Sequence, residues 1–286
     1  MTTLNILAIK CATDDPEVVD EAVSVLRWAA EAGPMGIELS SMQVDAADPL
    51  PESVQDRARR ADAILLGSTT LPGMTGPLTA LRHSLGTYAV IRHLPTTGPQ
   101  PTIMVQANSD ASPIALRRAV DNAFQIAERR GVALTYAASP APARERAWHE
   151  AVAEIAPRFP KVSVHARPPN SKMRQLQLRP ESPEVIATDL DLAPGSTGSA
   201  VPWAWLGRYG SLFALAPARE VTTRLTAAMQ AAAMLLEHGA ARFGLAESIR
   251  RATDEVLPGA PPAPVGQMGQ AVLDNLDACF EPCAGW

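Results

Sequence analysis

The sequence predicts an α/β fold of two lobes, with helices packed on a mixed, mostly parallel sheet. Three observations predict it. Short apolar runs bounded by turn residues alternate with stretches of helical period. The first part of the chain reads in the order βαβα, which requires parallel strands joined through helices. The Pro/Gly-rich stretch Thr96 to Pro101 then interrupts that order where a lobe boundary fits. Residues 1–95 and 200–286 are expected in a first lobe and 96–199 in a second. A chain of 286 residues with 47% hydrophobic content can bury a substantial core.

The elements follow from local pattern. Leu4 to Ile9 is an apolar run suited to a buried strand. Pro16 to Ala30 opens with Pro at its first turn and sets Val18, Val19, Ala22, Val25, Leu26 and Ala29 on one helical face. Ile37 to Val44 is a second strand, Val54 to Arg60 a short helix and Ala63 to Gly67 a third strand. Leu78 to Ile91 reads as a helix, with Arg82 and Arg92 ten apart at matching offsets from Leu81 and Ile91. Beyond Pro101 come a strand at Ile103 to Gln106, a helix from Leu116 to Arg130, a strand at Val132 to Tyr136 and a helix from Arg144 to Ala156. Strands at Val162 to Ala166 and Glu184 to Thr188 flank a polar segment, Asn170 to Leu178. After a Gly/Ser/Thr turn at Gly195 to Ser199, strands are expected at Trp203 to Leu206 and Ser211 to Leu215. Helices at Val221 to Glu237, Ala246 to Leu257 and Met268 to Phe280 complete the chain.

Composition excludes several function classes. The formal net charge is −5 and the basic residues are scattered, so no footprint for nucleic acid is present. The longest apolar stretch, around Ala227 to Leu236, is shorter than the roughly 20 residues a bilayer requires, and the N-terminus lacks a charged-then-apolar leader pattern. A cytoplasmic protein with no membrane partner is expected. Cys11, Cys279 and Cys283 are an odd number, which argues against a disulfide framework, and no histidine stands close to the C-terminal pair to complete a zinc site. Lysine is confined to Lys10, Lys161 and Lys172, so candidate lysine bases are few.

Framework phrases carry a resemblance. Pro16-Glu17-Val18-Val19, the strand phrase Asp62-Ala63-Ile64-Leu65-Leu66-Gly67, the helix Asp121 to Arg130 and the run Ala231 to Glu237 are similar to those of the β-decarboxylating dehydrogenases, the isopropylmalate, isocitrate and tartrate dehydrogenase family. The resemblance implies the isopropylmalate dehydrogenase-like two-lobed α/β/α sandwich. It places Arg82 and Arg92 on two of three arginines that grip substrate carboxylates, and puts Gln106 at the third. It puts Tyr136 where the family has its catalytic lysine and Asn170 on the first metal aspartate. The two further aspartates fall on a stretch that is shortened here to Asp189-Leu190-Asp191-Leu192, whose carboxylates alternate in direction if extended. The NAD-binding loop is replaced by Ala216 to Glu220, and the first loop, Lys10 to Asp15, has no glycine. Only Ala107 to Pro113 separate a strand from the next helix, where the family inserts a subunit-joining arm. The family's homodimer is therefore left as a hypothesis.

These departures predict loss of the family's oxidative decarboxylation, no metal and no cofactor, because Mg²⁺ needs oxygen ligands in near-octahedral array. Trp203 and Trp205, on one face of a strand where the resemblance implies small polar residues, suggest vacated volume; forcing large side chains into a filled core costs roughly 1–3 kcal/mol each. The candidate substrate-binding residues are Arg82, Arg92, Gln106, Asn170, Trp203 and Trp205, and the candidate catalytic residues are Tyr136, Lys172 and Tyr88, with His83 a further proton carrier. The bland reading has the indoles plugging a collapsed cleft and the arginines solvated or paired. The leading functional reading is a cofactor-independent cyclase, isomerase or lyase acting on an acidic small molecule with an apolar portion, an organic acid or biosynthetic intermediate of secondary metabolism. The alternatives are a non-catalytic partner or regulatory subunit, and an NAD-dependent dehydrogenase with an unusual site.

Overall fold

The computed structural model describes residues 3–11, 16–33, 36–44, 51–67, 75–94, 101–108, 111–167, 184–189, 202–215, 218, 220–259, 261 and 263–279. In chain order the elements are β1 (Leu4–Cys11), α1 (Pro16–Ala32), β2 (Ile37–Val44), α2 (Glu52–Arg60), β3 (Ala63–Leu66), α3 (Thr75–Ser84), β4 (Thr87–Leu94) and β5 (Thr102–Ala107). They continue with α4 (Pro113–Arg130), β6 (Leu134–Ala137), α5 (Pro142–Ile155), β7 (Val164–Ala166), β8 (Val185–Thr188), β9 (Trp203–Gly207) and β10 (Ser211–Ala214). The last helices are α6 (Val221–Met234), which runs on through a π-helical turn at Leu235–Gly239, then α7 (Phe243–Val256) and α8 (Val265–Cys279). None of the described helices is long and apolar enough to cross a membrane.

The chain forms two compact units, Met1–Thr87 with Ser199–Trp286, and Tyr88–Gly198. In the first, the strands run in the order β2-β1-β3-β10-β9, with β1, β2, β3 and β10 parallel and β9 antiparallel to β10. Strand β3 is buried at all four positions, as expected of a strand covered on both faces. Helix α1 buries Val18, Val19, Ala22, Val23, Val25, Leu26 and Ala29 and packs on α6 and α8. Trp28 Nε1 donates to Asp277 Oδ1 at 2.8 Å and pins α8 to α1. Glu21 lies against two glycines of α8; a Cβ added at Gly269 would fall 2.5 Å from Glu21 Cδ. Burial, then the neighbouring charges of Asp20 and Glu17, push the Glu21 carboxyl above its ordinary value.

In the second unit the order is β4-β5-β8-β6-β7. Strands β5, β8, β6 and β7 are parallel, and β4 is antiparallel to β5 with Leu94 opposite Thr102. Helix α4 is fully specified by its ends. The Ser112 side chain accepts from Ala115 N, Pro113 occupies the first turn, and Gly131 closes the helix at φ +64°. Phe124 of α4 stacks on Phe159 at 5.3 Å in the core between α4 and the chain after α5.

Two expectations are corrected. The helix expected over Leu78 to Ile91 ends at Ser84; Gly86, at φ +61°, turns the chain out of it, and Thr87 to Leu94 is a strand. Arg92 is therefore a strand residue, not a helix residue. The boundary expected between 95 and 96 falls on a connection joining β4 to its antiparallel neighbour β5, so chain on both sides of it belongs to one unit, and the units change at Thr87/Tyr88. Residues 95–100 themselves lie outside the described residues.

Candidate functional site

In the first unit the structure brings Arg82 and the two tryptophans together. The chain just after α3 docks on the β9–β10 turn through backbone bonds. Arg208 N donates to Gly86 O at 3.2 Å, and Tyr209 N donates to Leu85 O at 3.1 Å. That close approach requires glycine at position 207, since a Cβ there would meet Gly210 O and stand 2.5 Å from Leu85 O. The docking sets the Arg82 guanidinium over the indole of Trp205, with its central carbon 5.6 Å from the ring centroid. Trp205 is fully buried, whereas Trp203, two residues before it and 5.2 Å away between ring centroids, is half-buried. A guanidinium so placed is attracted to the indole face, and its planar array of N–H donors is of the kind that matches a carboxylate.

In the second unit, Arg92, Gln106 and Tyr88 occupy one region of the β4–β5 pair. The register sets Val90 opposite Gln106 and Arg92 opposite Met104, so Tyr88, Arg92 and Gln106 share a face. Arg92 is 5% exposed, and its Nη2 donates to Gln106 Oε1 at 3.2 Å. Tyr88, half-buried, accepts a hydrogen bond on its hydroxyl from Asn122 Nδ2 of α4 at 2.7 Å. Burial raises the Tyr88 phenol above its ordinary value, opposed by the Asn122 bond and by the charge of Arg118.

Tyr136 stands apart from that face. It is buried on β6, stacked on Trp148 at 6.4 Å and edge-on to His149 at 5.6 Å, both from α5. Its phenol is also raised, by burial and then by Glu145. His83 is exposed. Lys172, Asn170, Asp191, the Gly195 to Gly198 turn and the greater part of the segment that replaces the NAD loop lie outside the described residues.

Sequence reasoning treated Asp189 as one of a poor pair of metal ligands, and the structure gives it another role. Its side chain is 1% exposed; Oδ1 accepts from Ser139 N at 2.7 Å, and Oδ2 accepts from Arg144 Nε at 2.5 Å. Arg144 also donates to Ala111 O and Asn108 O, each at 2.9 Å. A cation at Asp189 would have to displace a buried guanidinium, so this carboxylate does not fit the Mg²⁺ ligand that the resemblance implies. Asn122, Arg144, Trp148 and His149 were not singled out from sequence. The first two find their partners 34 and 45 residues away, and nothing in local pattern marks them.

No protein-family model matches the chain. The 3-isopropylmalate dehydrogenase of Staphylococcus haemolyticus (strain JCSC1435) is 26% identical over 243 residues, covering 65% of this chain and 68% of that protein. The isocitrate dehydrogenase of Methylococcus capsulatus superposes with a TM-score of 0.72 at 22% identity over 96% of this chain and 99% of its own. A β-decarboxylating dehydrogenase from Thermococcus kodakarensis, in its apo form, gives 0.75 at 21% identity over 96% of each chain. At these identities the solved structures speak for architecture alone. The chain thus has the α/β fold of the β-decarboxylating dehydrogenases and resembles that family at low sequence identity.

Proposed function

We propose that the chain binds an organic acid with an apolar portion and rearranges it without a metal ion or nicotinamide cofactor, as a cyclase, isomerase or lyase. The observation that carries this reading is the Arg82 guanidinium over the buried Trp205, with Trp203 beside it. Such an arrangement sets a cation that attracts a carboxylate near the half-buried indole of Trp203, an aromatic wall for an alkyl or ring portion. Holding a flexible substrate in reactive geometry contributes about 7–11 kcal/mol to a reaction. In the second unit, Arg92 with Gln106 and the protonated phenol of Tyr88 form a polar face of their own. The engagement of Asp189 by Arg144 supports a chemistry that does not pass through Mg²⁺.

The test is calorimetric titration with isocitrate, 3-isopropylmalate and octanoate, and separately with NAD plus Mg²⁺. Saturable binding of a carboxylate that Arg82→Lys weakens is expected, as is no response to NAD plus Mg²⁺. Saturable NAD binding with hydride transfer would replace this reading with an NAD-dependent dehydrogenase. A second reading, a non-catalytic partner subunit, is favoured by the complete burial of Trp205, which suits a plug as well as a wall. Absence of binding by all three acids would select it.

A further inference from the structure

Tyr88 and Asn122 join β4 to α4 by a bond that neither the fold nor the resemblance requires. The donor is the Asn122 amide nitrogen and the acceptor is the phenol oxygen, at 2.7 Å. With an N–H directed at one lone pair, the hydroxyl proton of Tyr88 is turned away from Asn122. Donation into the oxygen also polarises the O–H and strengthens it as a donor to a third group. On the same strand face, four residues on, is the buried Arg92, and Gln106 faces the position between them. Four residues of strand span roughly 13 Å, within which the two long side chains can engage one ligand.

We propose that Asn122 is a positioning residue that orients the Tyr88 hydroxyl as a hydrogen-bond donor to a carbonyl, hydroxyl or carboxylate oxygen of an acid whose other end is held by Arg92. This deepens the proposed function and rests on its acid-binding reading. Burial keeps the phenol protonated at neutral pH, so it serves as a donor, not as a base. The cation facing it, Arg118, is exposed on the same helix as Asn122 and partly offsets burial.

The chain has three tyrosines, Tyr88, Tyr136 and Tyr209, so each titration can be assigned. Ring-fluorinated tyrosine, incorporated throughout, brings the phenols toward neutral pH for fluorine NMR, and Tyr88→Phe identifies the Tyr88 signal. Asn122→Leu is expected to raise the Tyr88 titration by about 0.5–1 pH unit, because the lost N–H stabilised the phenolate. Asn122→Asp, which keeps size and polarity, is expected to raise it as well. An unchanged Tyr88 titration would overturn the assignment, and a lowered one in Asn122→Leu would show that the amide carbonyl had been accepting the phenol proton. In calorimetry, Tyr88→Phe is expected to weaken the carboxylate that binds the wild-type chain about tenfold, while equal affinity would overturn the donor role and leave acid binding intact. Failure of isocitrate, 3-isopropylmalate and octanoate to bind the unsubstituted chain would remove the acid-binding reading and the ligand role of Tyr88 together.

Discussion

Asp189→Ala is the most direct probe of what became of the carboxylate-bearing segment after β8. In the wild-type chain the carboxylate is 1% exposed and Arg144 is 17% exposed, so solvent screens the pair little. Removing the carboxylate leaves the Arg144 charge to its bonds with the Ala111 and Asn108 carbonyls, and strips Ser139 N of its acceptor. Breaking a buried pair from one side costs about 3–5 kcal/mol, the greater part of it the stranded charge. With a urea m-value of about 2–3 kcal/mol/M, the unfolding midpoint should fall by about 1–2.5 M. Replacing both partners, as in Arg144→Met with Asp189→Leu, should recover part of that loss, since no charge is stranded, while Ser139 N and the Ala111 and Asn108 carbonyls still lose their side-chain partners. Equilibrium unfolding in urea, followed by circular dichroism, measures all three proteins. A single-variant loss under about 1 kcal/mol, or a double variant no better than the single, would refute the structural role and return Asp189 to the pool of candidate ligands.

Three further outcomes are expected. Arg82→Lys should lose at least about tenfold in carboxylate affinity by calorimetry, because an ammonium does not fork to a carboxylate and stacks less well over Trp205. Gly207→Ala should lower both thermal stability and that affinity, since its Cβ meets two backbone carbonyls and pushes α3 off the hairpin; Gly131→Ala, at φ +64° with nothing within 4 Å, should cost about 1–2 kcal/mol of stability and leave affinity unchanged. Glu21→Gln should raise the unfolding midpoint at pH 7. The folded-state carboxyl titrates above its unfolded value, so the folded chain holds its proton longer, the penalty is complete above the folded value, and the gain should vanish as pH falls below the ordinary 4.5. A midpoint difference independent of pH would exclude that cause.

The fold was legible where one face of a regular element is apolar. Helix α1, β1 and β3 follow from runs of Val, Leu, Ile and Ala at helical or strand spacing, and their burial matches that pattern. The stretch from Leu78 to Ile91 misled because Leu81, Leu85, Ala89 and Ile91 are all buried and nearly fit a helix. The decisive signals were Gly86 and the β-branched Thr87, Val90 and Ile91 after it, which favour a left-handed stop and then a strand. Of the candidate site, the closeness of Trp203 and Trp205 could be read from two-residue spacing on one strand. The seat of Arg82 on Trp205, Asn122 on Tyr88 and Arg144 on Asp189 could not, because each pairs residues brought together only by packing between separate elements.

The first unit is assembled from both ends of the chain, and this bears on its synthesis. Strand β3 pairs with β1 as soon as both leave the ribosome, but its other neighbour, β10, begins at Ser211, in register with Ala63. At about 5–20 residues per second, translation leaves the apolar edge of Ala63-Ile64-Leu65-Leu66 without that neighbour for roughly 7–30 s. The intervening residues include the whole second unit, which is contiguous in sequence. A nascent chain of this architecture therefore carries a bare, sticky strand edge while its middle folds, a natural point of engagement for chaperones.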